Sequence, residues 1–186
     1  MFDRISYREC WLQHTGIDLP DASCEDLINL LSAASVAIPE TIVGNFDALQ
    51  DLVMGTVIAD AMPANQYSCI YNYPASQASL ARIDKSDHNW PVASRFEIYY
   101  GAVELANGFH ELSDGAEQLA RFESDNQVRQ KENKPVMPVD NRFIASLDEG
   151  LPDCAGVAIG IDRLMMVLLK DVQALQDVIS FDWQRA

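Results

Sequence analysis

The sequence predicts an α+β fold with an antiparallel sheet, and three observations carry that expectation. Helical segments surround a few strand-like runs without alternating regularly with them, which argues against a parallel βαβ layout. Two of the runs, RFEIYY and AVELANGF, follow one another as a hairpin. A third, the small-residue run VAIGI, leads through a tight turn into an apolar helix.

Each element has a local cause. Ser6 caps a short helix through Tyr7, Cys10, Trp11 and His14, which Gly16 ends. Ser23 opens a second helix with Leu27, Leu30 and Leu31 at helical spacing. Asn45 caps a third, with Leu49, Leu52, Val53 and Val57 on one face. QYSCIYNYP reads as a strand over 66–73 closed by Pro74, and His88 to Ala93 as a connection. The hairpin strands are expected at 95–100 and 103–109. Asp114 with Glu117 forms a capping box for a long polar helix ending near Lys131. Pro138 and Asp140 start a shorter helix that Gly150 ends. The final strand is expected over 155–160, followed by a helix from Asp162 to Lys170.

At 186 residues the chain reads as one domain, 1–186. No apolar run approaches the roughly 18–20 residues of a membrane span, and MFDRISYREC lacks a signal-peptide layout. Cytoplasm is the expected location. Cys10, Cys24, Cys69 and Cys154 stand far apart with no C-x-x-C, which predicts buried reduced thiols and no zinc site. The net charge is −15, and no Lys or Arg occurs between Glu9 and Ala81 while nine acids fall between Glu9 and Asp60. That half of the chain cannot grip nucleic acid by displacing counterions. Solubility or a basic partner protein accounts for it.

The hairpin gathers Glu97, Glu104, Asn107 and Glu111. If Tyr100 and Gly101 are its two central turn residues, Glu97 sits directly opposite Glu104. Paired carboxylates at that separation repel unless a cation lies between them, and magnesium is the natural cation beside substrate phosphates. The alternative is a longer loop that keeps the two acids apart, since Tyr-Gly is not the favoured turn pair. Asn107-Gly108 is either a turn or a bulge that re-aims Asn107 and Glu111 towards the acids. Acids with one aromatic ring, Phe109, suit a cationic amine. In GVAIGIDRLMM, small residues up to Gly160 allow close approach of a ligand. Asp162 is a natural N-cap, and Arg163 in the first turn opposes the helix dipole. Either a phosphate or a salt bridge with a neighbouring acid answers that charge.

RFEIYYGAVELANGFHEL followed by GVAIGIDR resembles the catalytic core of a class II aminoacyl-tRNA synthetase, the first segment its lysyl branch and the second its motif 3. YNYPASQASLARI, PDCAGVAIGIDR and His110 of NGFHEL are similar to the lysyl-synthetase paralogues that attach (R)-β-lysine to elongation factor P. The resemblance implies ATP and Mg2+ as cofactors, with Glu97 and Glu104 holding the metal. It implies ATP contacts from Glu104, Leu105, Gly160 and Arg163, Arg163 being the catalytic cation on the terminal phosphate. Glu111 is then expected to take a substrate amine in a pocket shaped by Asn107, Phe109 and Ala158. The implied reaction is adenylation of lysine or β-lysine and acyl transfer to elongation factor P, with tRNA an unlikely acceptor.

Two departures refine the expectation. Lysyl synthetases carry G-x-G-x-D-R where this chain has Ala158-Ile159-Gly160-Ile161-Asp162-Arg163, and one methyl is worth roughly 1–3 kcal/mol of substrate discrimination. The paralogues carry this Ala. The family's two earlier motifs find no counterpart here, including the strand-loop-strand whose Arg holds the α-phosphate. The expected fold is therefore an incomplete class II core, the C-terminal part of the catalytic domain with motif 3 at 155–165. Taken alone it is expected to be inactive and to self-associate through a new surface. A lysyl-tRNA synthetase fragment and a non-catalytic amine- or partner-binding paralogue remain the rival readings.

Overall fold

The structure, a computed structural model, describes residues 2–169, 172 and 174–182. Its first element, β1 (Phe2–Ser6), runs straight into α1 (Tyr7–Thr15). Ser6 accepts from the Glu9 N–H while Glu9 reaches back to the Ser6 N–H, and Gly16 closes the helix at φ 75°. Ser23 and Asp26 make the same reciprocal cap on α2 (Cys24–Ala33). Asn45 caps α3 (Phe46–Val53), which passes through a π-helical turn at Met54–Ile58 into α4 (Ala59–Ala61).

The sheet follows: β2 (Tyr67–Pro74), β3 (Ile83–Asp84), β4 (Val92–Tyr100), β5 (Val103–His110) and, after α5 (Gly115–Lys131) and α6 (Asn141–Asp148), β6 (Ala155–Ile159). α7 (Ile161–Leu168) is the last α-helix, followed by a 3-10 turn at Leu175–Asp177, and Lys170, to which the helix was expected to run, lies outside the described residues. Strand order is β1-β2-β4-β5-β6, with β3 paired to β4. All pairings are antiparallel except β1 with β2, so the sheet is open and mostly antiparallel, with helices against it.

Local expectations differ from the structure in four places. FDRIS forms a strand that its own sequence does not announce, because its pairing partner lies sixty-odd residues on, from Tyr67 to Tyr71. β4 begins at Val92, inside the expected connection. Asp114 accepts from the Glu117 N–H, but the box is not closed: the Glu117 carboxylate turns to Arg121, one helical turn on. Only Cys10 and Cys69 are buried; Cys24 and Cys154 are half-buried.

The core lies between α1–α4 and one face of the β1-β2-β4 end. Tyr7, Trp11, Leu27, Leu31, Leu49, Val53, Ile58 and Ile70 are fully buried there. The opposite end is different. β6 is the outer strand and α7 has no buried residue; Val157, Ile159 and Leu168 are 52%, 51% and 64% exposed. Among the described residues, no helix is long and apolar enough to cross a membrane.

Candidate functional site

The hairpin turn falls at Gly101-Ala102, one residue later than expected. Tyr100 pairs with Val103 and Tyr99 with Glu104. Gly101 carries the positive φ of 53°, at the turn position where a primed hairpin calls for glycine. The register then shifts at Leu105, which has no partner: Ile98 pairs with Ala106 and Glu97 with Asn107. Glu97 is therefore not opposite Glu104. The expected bulge exists, but two residues before Asn107.

That bulge assembles the site. Successive strand residues face opposite sides, so without an extra residue Glu104 and Asn107 would point apart. With Leu105 inserted, Glu104 lies on the face of Tyr99, Asn107 on that of Glu97, and Phe109 on that of Arg95. These are one face, since Arg95, Glu97 and Tyr99 alternate along β4. β6 extends it: Ala158 pairs with Asn107 and Gly156 with Phe109. Gly108, on the other face, is no turn residue; a Cβ there would lie 2.4 Å from Cζ of Phe96.

Glu97 is buried and enclosed by donors. The Tyr73 and Tyr99 hydroxyls donate to Oε2 at 2.6 and 2.5 Å, Arg95 to Oε1 at 2.5 Å, and Asn107 Nδ2 to Oε1 at 3.5 Å. Burial first, and then neighbouring charge including that of Glu97, keeps both phenols protonated and hence donors. The Arg95 guanidinium also stacks 4.6 Å from the centroid of Tyr73. Beside this cluster is a cavity of about 150 Å³ bounded by Asp51, Met54 and Gly55 from the helices, so the π turn forms its wall. Burial, then Asp47, raises the Asp51 carboxyl above the usual aspartate range.

Glu104 is the freer acid. Its side chain is 38% exposed and its ion pair is loose, 3.5 Å from Arg163, itself 54% exposed. Arg163 also donates to the Glu104 carbonyl at 2.9 Å, and the Gly160 N–H to the Leu105 carbonyl at 2.9 Å. Both bulge carbonyls are thus held by the turn after β6. Helix α7 is capped by Gly160 in extended geometry and starts at Ile161. Asp162 is therefore a first-turn residue and not the N-cap, and the cation opposing the dipole has a neighbouring acid as its partner.

Glu111 lies just past β5. A Cβ on Gly156 would sit 2.3 Å from Oε1 of Glu111. Because Gly156 faces the side of Phe109, the carboxylate of Glu111 lies on the same face as Asn107, Phe109 and Glu104. Asn107 Oδ1 is buried there without a donor, a costly state unless a ligand supplies one.

Among the described residues no group of three His, Cys, Asp or Glu could cage a metal ion. Magnesium is usually held by one or two carboxylates with phosphates and waters. The accessible carboxylate of Glu104 fits a phosphate-borne magnesium, whereas Glu97 would have to surrender a donor to join it. Sequence reasoning missed Tyr73, Arg95, Tyr99 and Asp51. The i, i+2 spacing of Arg95, Glu97 and Tyr99 on a strand was the available signal; nothing local pointed to Tyr73 or Asp51.

Residues 1–185 match the family of tRNA synthetases class II (D, K and N). Among curated proteins, the chain is 42% identical over 187 residues to an elongation factor P–(R)-beta-lysine ligase of Yersinia enterocolitica, covering 99% of this chain and 56% of that protein. It is 41% identical over 184 residues to the protein of the same name from Haemophilus ducreyi, covering 99% and 55%. The chain spans about half the length of the curated relatives it matches.

Proposed function

The chain belongs to the class II tRNA synthetases (D, K and N), and from that premise we propose that it forms the amino-acid and nucleotide side of an ATP-dependent ligase acting on lysine or β-lysine. In this reading residues 1–186 are one domain, the C-terminal part of an incomplete class II catalytic core, with motif 3 at 155–165. The acceptor is elongation factor P, the substrate named for the relatives; the chain's acidity and Ala158 favour it over tRNA.

One observation carries the proposal. A carboxylate at Glu111 and a donor-less amide oxygen at Asn107 share a sheet face with Glu104 and Arg163. Among the described residues the first pair are acceptors without a cation and suit an ammonium group, with Phe109 beside them. The second pair is an exposed ion pair, worth little to stability, so a phosphate can take Arg163 at small cost. Leu105 and Gly160 close the nucleotide side, and Ala158, opposite Asn107, limits the room for the amino acid.

Magnesium, when bound with ATP, would neutralise charge between the phosphates, held by Glu104 with Glu97 beside it. Glu111 and Asn107 would fix the amine, leaving the substrate carboxylate to face the α-phosphate; Arg163 would draw off the pyrophosphate charge. Turnover is assigned to the chain together with residues outside its span, and binding to the chain itself. Self-association through the uncovered β6–α7 end is part of the same proposal, supported by the exposure of Val157, Ile159 and Leu168.

The test is ligand-dependent melting. A ligand that binds only the folded state stabilises it by about 2.7 kcal/mol at a hundredfold excess over Kd. Mg-ATP and lysine or β-lysine should each raise the melting temperature slightly. Glu104→Gln should remove the nucleotide shift and Glu111→Gln the amine shift. Melting curves unmoved by either ligand at saturation would reject the ligase reading and favour a non-catalytic relative.

A further inference from the structure

Resting on the assignment of Glu111 to the substrate ammonium, we infer that Arg82, Asp153 and His110 form a positioning triad that sets the Glu111 carboxylate. Glu111 needs such support because the β5–β6 ladder ends at the His110–Ala155 pair. Beyond it, Glu111 keeps only an isolated antiparallel bridge to Ala81, and its own backbone groups turn to the triad side: its N–H donates to the Cys154 carbonyl at 3.0 Å, and its carbonyl accepts from Arg82 Nε at 2.8 Å.

Arg82 and His110 converge on one atom. Asp153 Oδ1 lies 2.6 Å from His110 Nε2 and 3.1 Å from the Arg82 guanidinium. Asp153 precedes Cys154, whose carbonyl holds the Glu111 N–H, and stands three residues before Gly156, over which the carboxylate rests. Arg82 is itself built into the hairpin, its N–H donating to the His110 carbonyl at 2.9 Å and its carbonyl accepting from the Ser94 N–H at 2.8 Å. It also reaches Ser113 Oγ at 3.1 Å. The guanidinium fork thus spans the loop before β6, the carbonyl of Glu111 and the residue two beyond it. A lysine, with one point of charge, cannot hold this geometry. His110, first, and Arg82 hold the Asp153 carboxyl below the usual aspartate range.

His110 alternates with Phe109 and so faces away from the pocket. It acts on the pocket only through the loop. The triad is also a poor device for global stability, because Asp153 is 75% exposed and exposed ion pairs contribute little. Its effect is local: it fixes where β5 and the start of β6 stand beyond the end of their ladder.

The full 186-residue chain carrying Asp153→Ala tests this by calorimetric titration with lysine or β-lysine and, separately, with Mg-ATP. Amine affinity should fall on the order of tenfold through misplacement of Glu111. Mg-ATP affinity and the ligand-free melting temperature should stay near wild type. Asp153→Asn, which keeps the acceptor oxygen, should recover most of the loss, and His110→Gln should weaken amine binding less than Asp153→Ala. In Asp153→Ala the Glu111 amide should exchange hydrogen faster while core amides such as Ile70 stay protected. Wild-type amine affinity in Asp153→Ala overturns the triad and leaves the assignment of Glu111 intact. Equal losses of amine, nucleotide and melting temperature also overturn it, reducing the three residues to a structural brace. A wild-type chain without amine affinity overturns the assignment of Glu111 and the triad together.

Discussion

The two ends of the sheet are stabilised by different means. At the β1-β2-β4 end, α1–α4 bury Trp11, Tyr7, Leu49 and Ile70 completely, and reciprocal caps at Ser6 and Ser23 close the helix starts. At the β5-β6 end no residue of α7 is buried, and the side chains with proposed chemistry are placed by strand register, one bulge and a few ion pairs. Glu97 stands at the boundary, buried and enclosed by donors, while Glu104 and Glu111 lie beyond it. The contrast teaches that the fully buried core stops where the pocket begins. A pocket floor placed by backbone register leaves its polar groups free for ligands.

Substitutions at the two ends should break that contrast or sharpen it. Trp11→Ala should cost about 3–5 kcal/mol, the usual range for a large buried aromatic, and lower the urea midpoint accordingly. Leu168→Glu, at low protein concentration, should change the unfolding free energy by no more than about 0.5 kcal/mol, as exposed positions do, and so leave the urea midpoint nearly unmoved. At high concentration the same variant should abolish any self-association seen by light scattering. Comparable losses for both substitutions in dilute solution would mean that the β6–α7 end is covered after all.

The boundary gives the next effect in size. Glu97→Gln leaves Arg95 without its buried counter-charge, their side chains being only 9% and 18% exposed. Breaking a buried pair from one side costs about 3–5 kcal/mol; the amide oxygen of Gln still accepts from the tyrosines, so the low end is expected. Denaturant melts without any nucleotide or metal present measure it. A neutral outcome there, with nucleotide binding lost, would make Glu97 a ligand-binding acid before a structural one.

Much of this was legible because capping is local. Ser6, Ser23, Asn45 and Gly16 each declare a helix end locally, and all four stand where expected. Pairing is not local. FDRIS carries an adjacent acid and base, Asp3 and Arg4, with no strand-like alternation, and becomes a strand only because β2 lies alongside. The turn register failed by one residue because Gly101 and not Tyr100 opens the turn, and the bulge at Leu105 has no composition to announce it. Glu97, Glu104, Asn107, Phe109 and Glu111 share one sheet face, but Glu97 meets Asn107 and two tyrosines where a second acid was expected. Tyr73 reaches Glu97 from another strand, through a register shift after Tyr71, which no motif encodes.

The smallest expected effect tests the boundary from the helix side. Asp51 reaches the cavity beside Glu97, and its carboxyl is raised by burial first and by Asp47 next, against an opposing attraction from Arg95. A carboxyl raised on folding binds its proton more tightly in the folded chain than in the unfolded one. Its contribution to stability is then fully present below the ordinary aspartate value and is lost as pH rises through the raised one. At neutral pH the ionised Asp51 is a net cost, which Asp51→Asn, equal in size and uncharged, removes. The variant should show a slightly higher urea midpoint than wild type at neutral pH. That advantage should shrink as pH falls through the raised value and vanish below the ordinary aspartate range, where both side chains are neutral. Midpoints measured in parallel down the pH series isolate Asp51, because every other titrating group is common to the two chains. An Asn variant no more stable at neutral pH would mean that Arg95 already compensates Asp51. The positive charge beside Glu97 would then be shared between two acids, and the paired, buried end of the molecule would reach as far as Asp51 at the cavity wall.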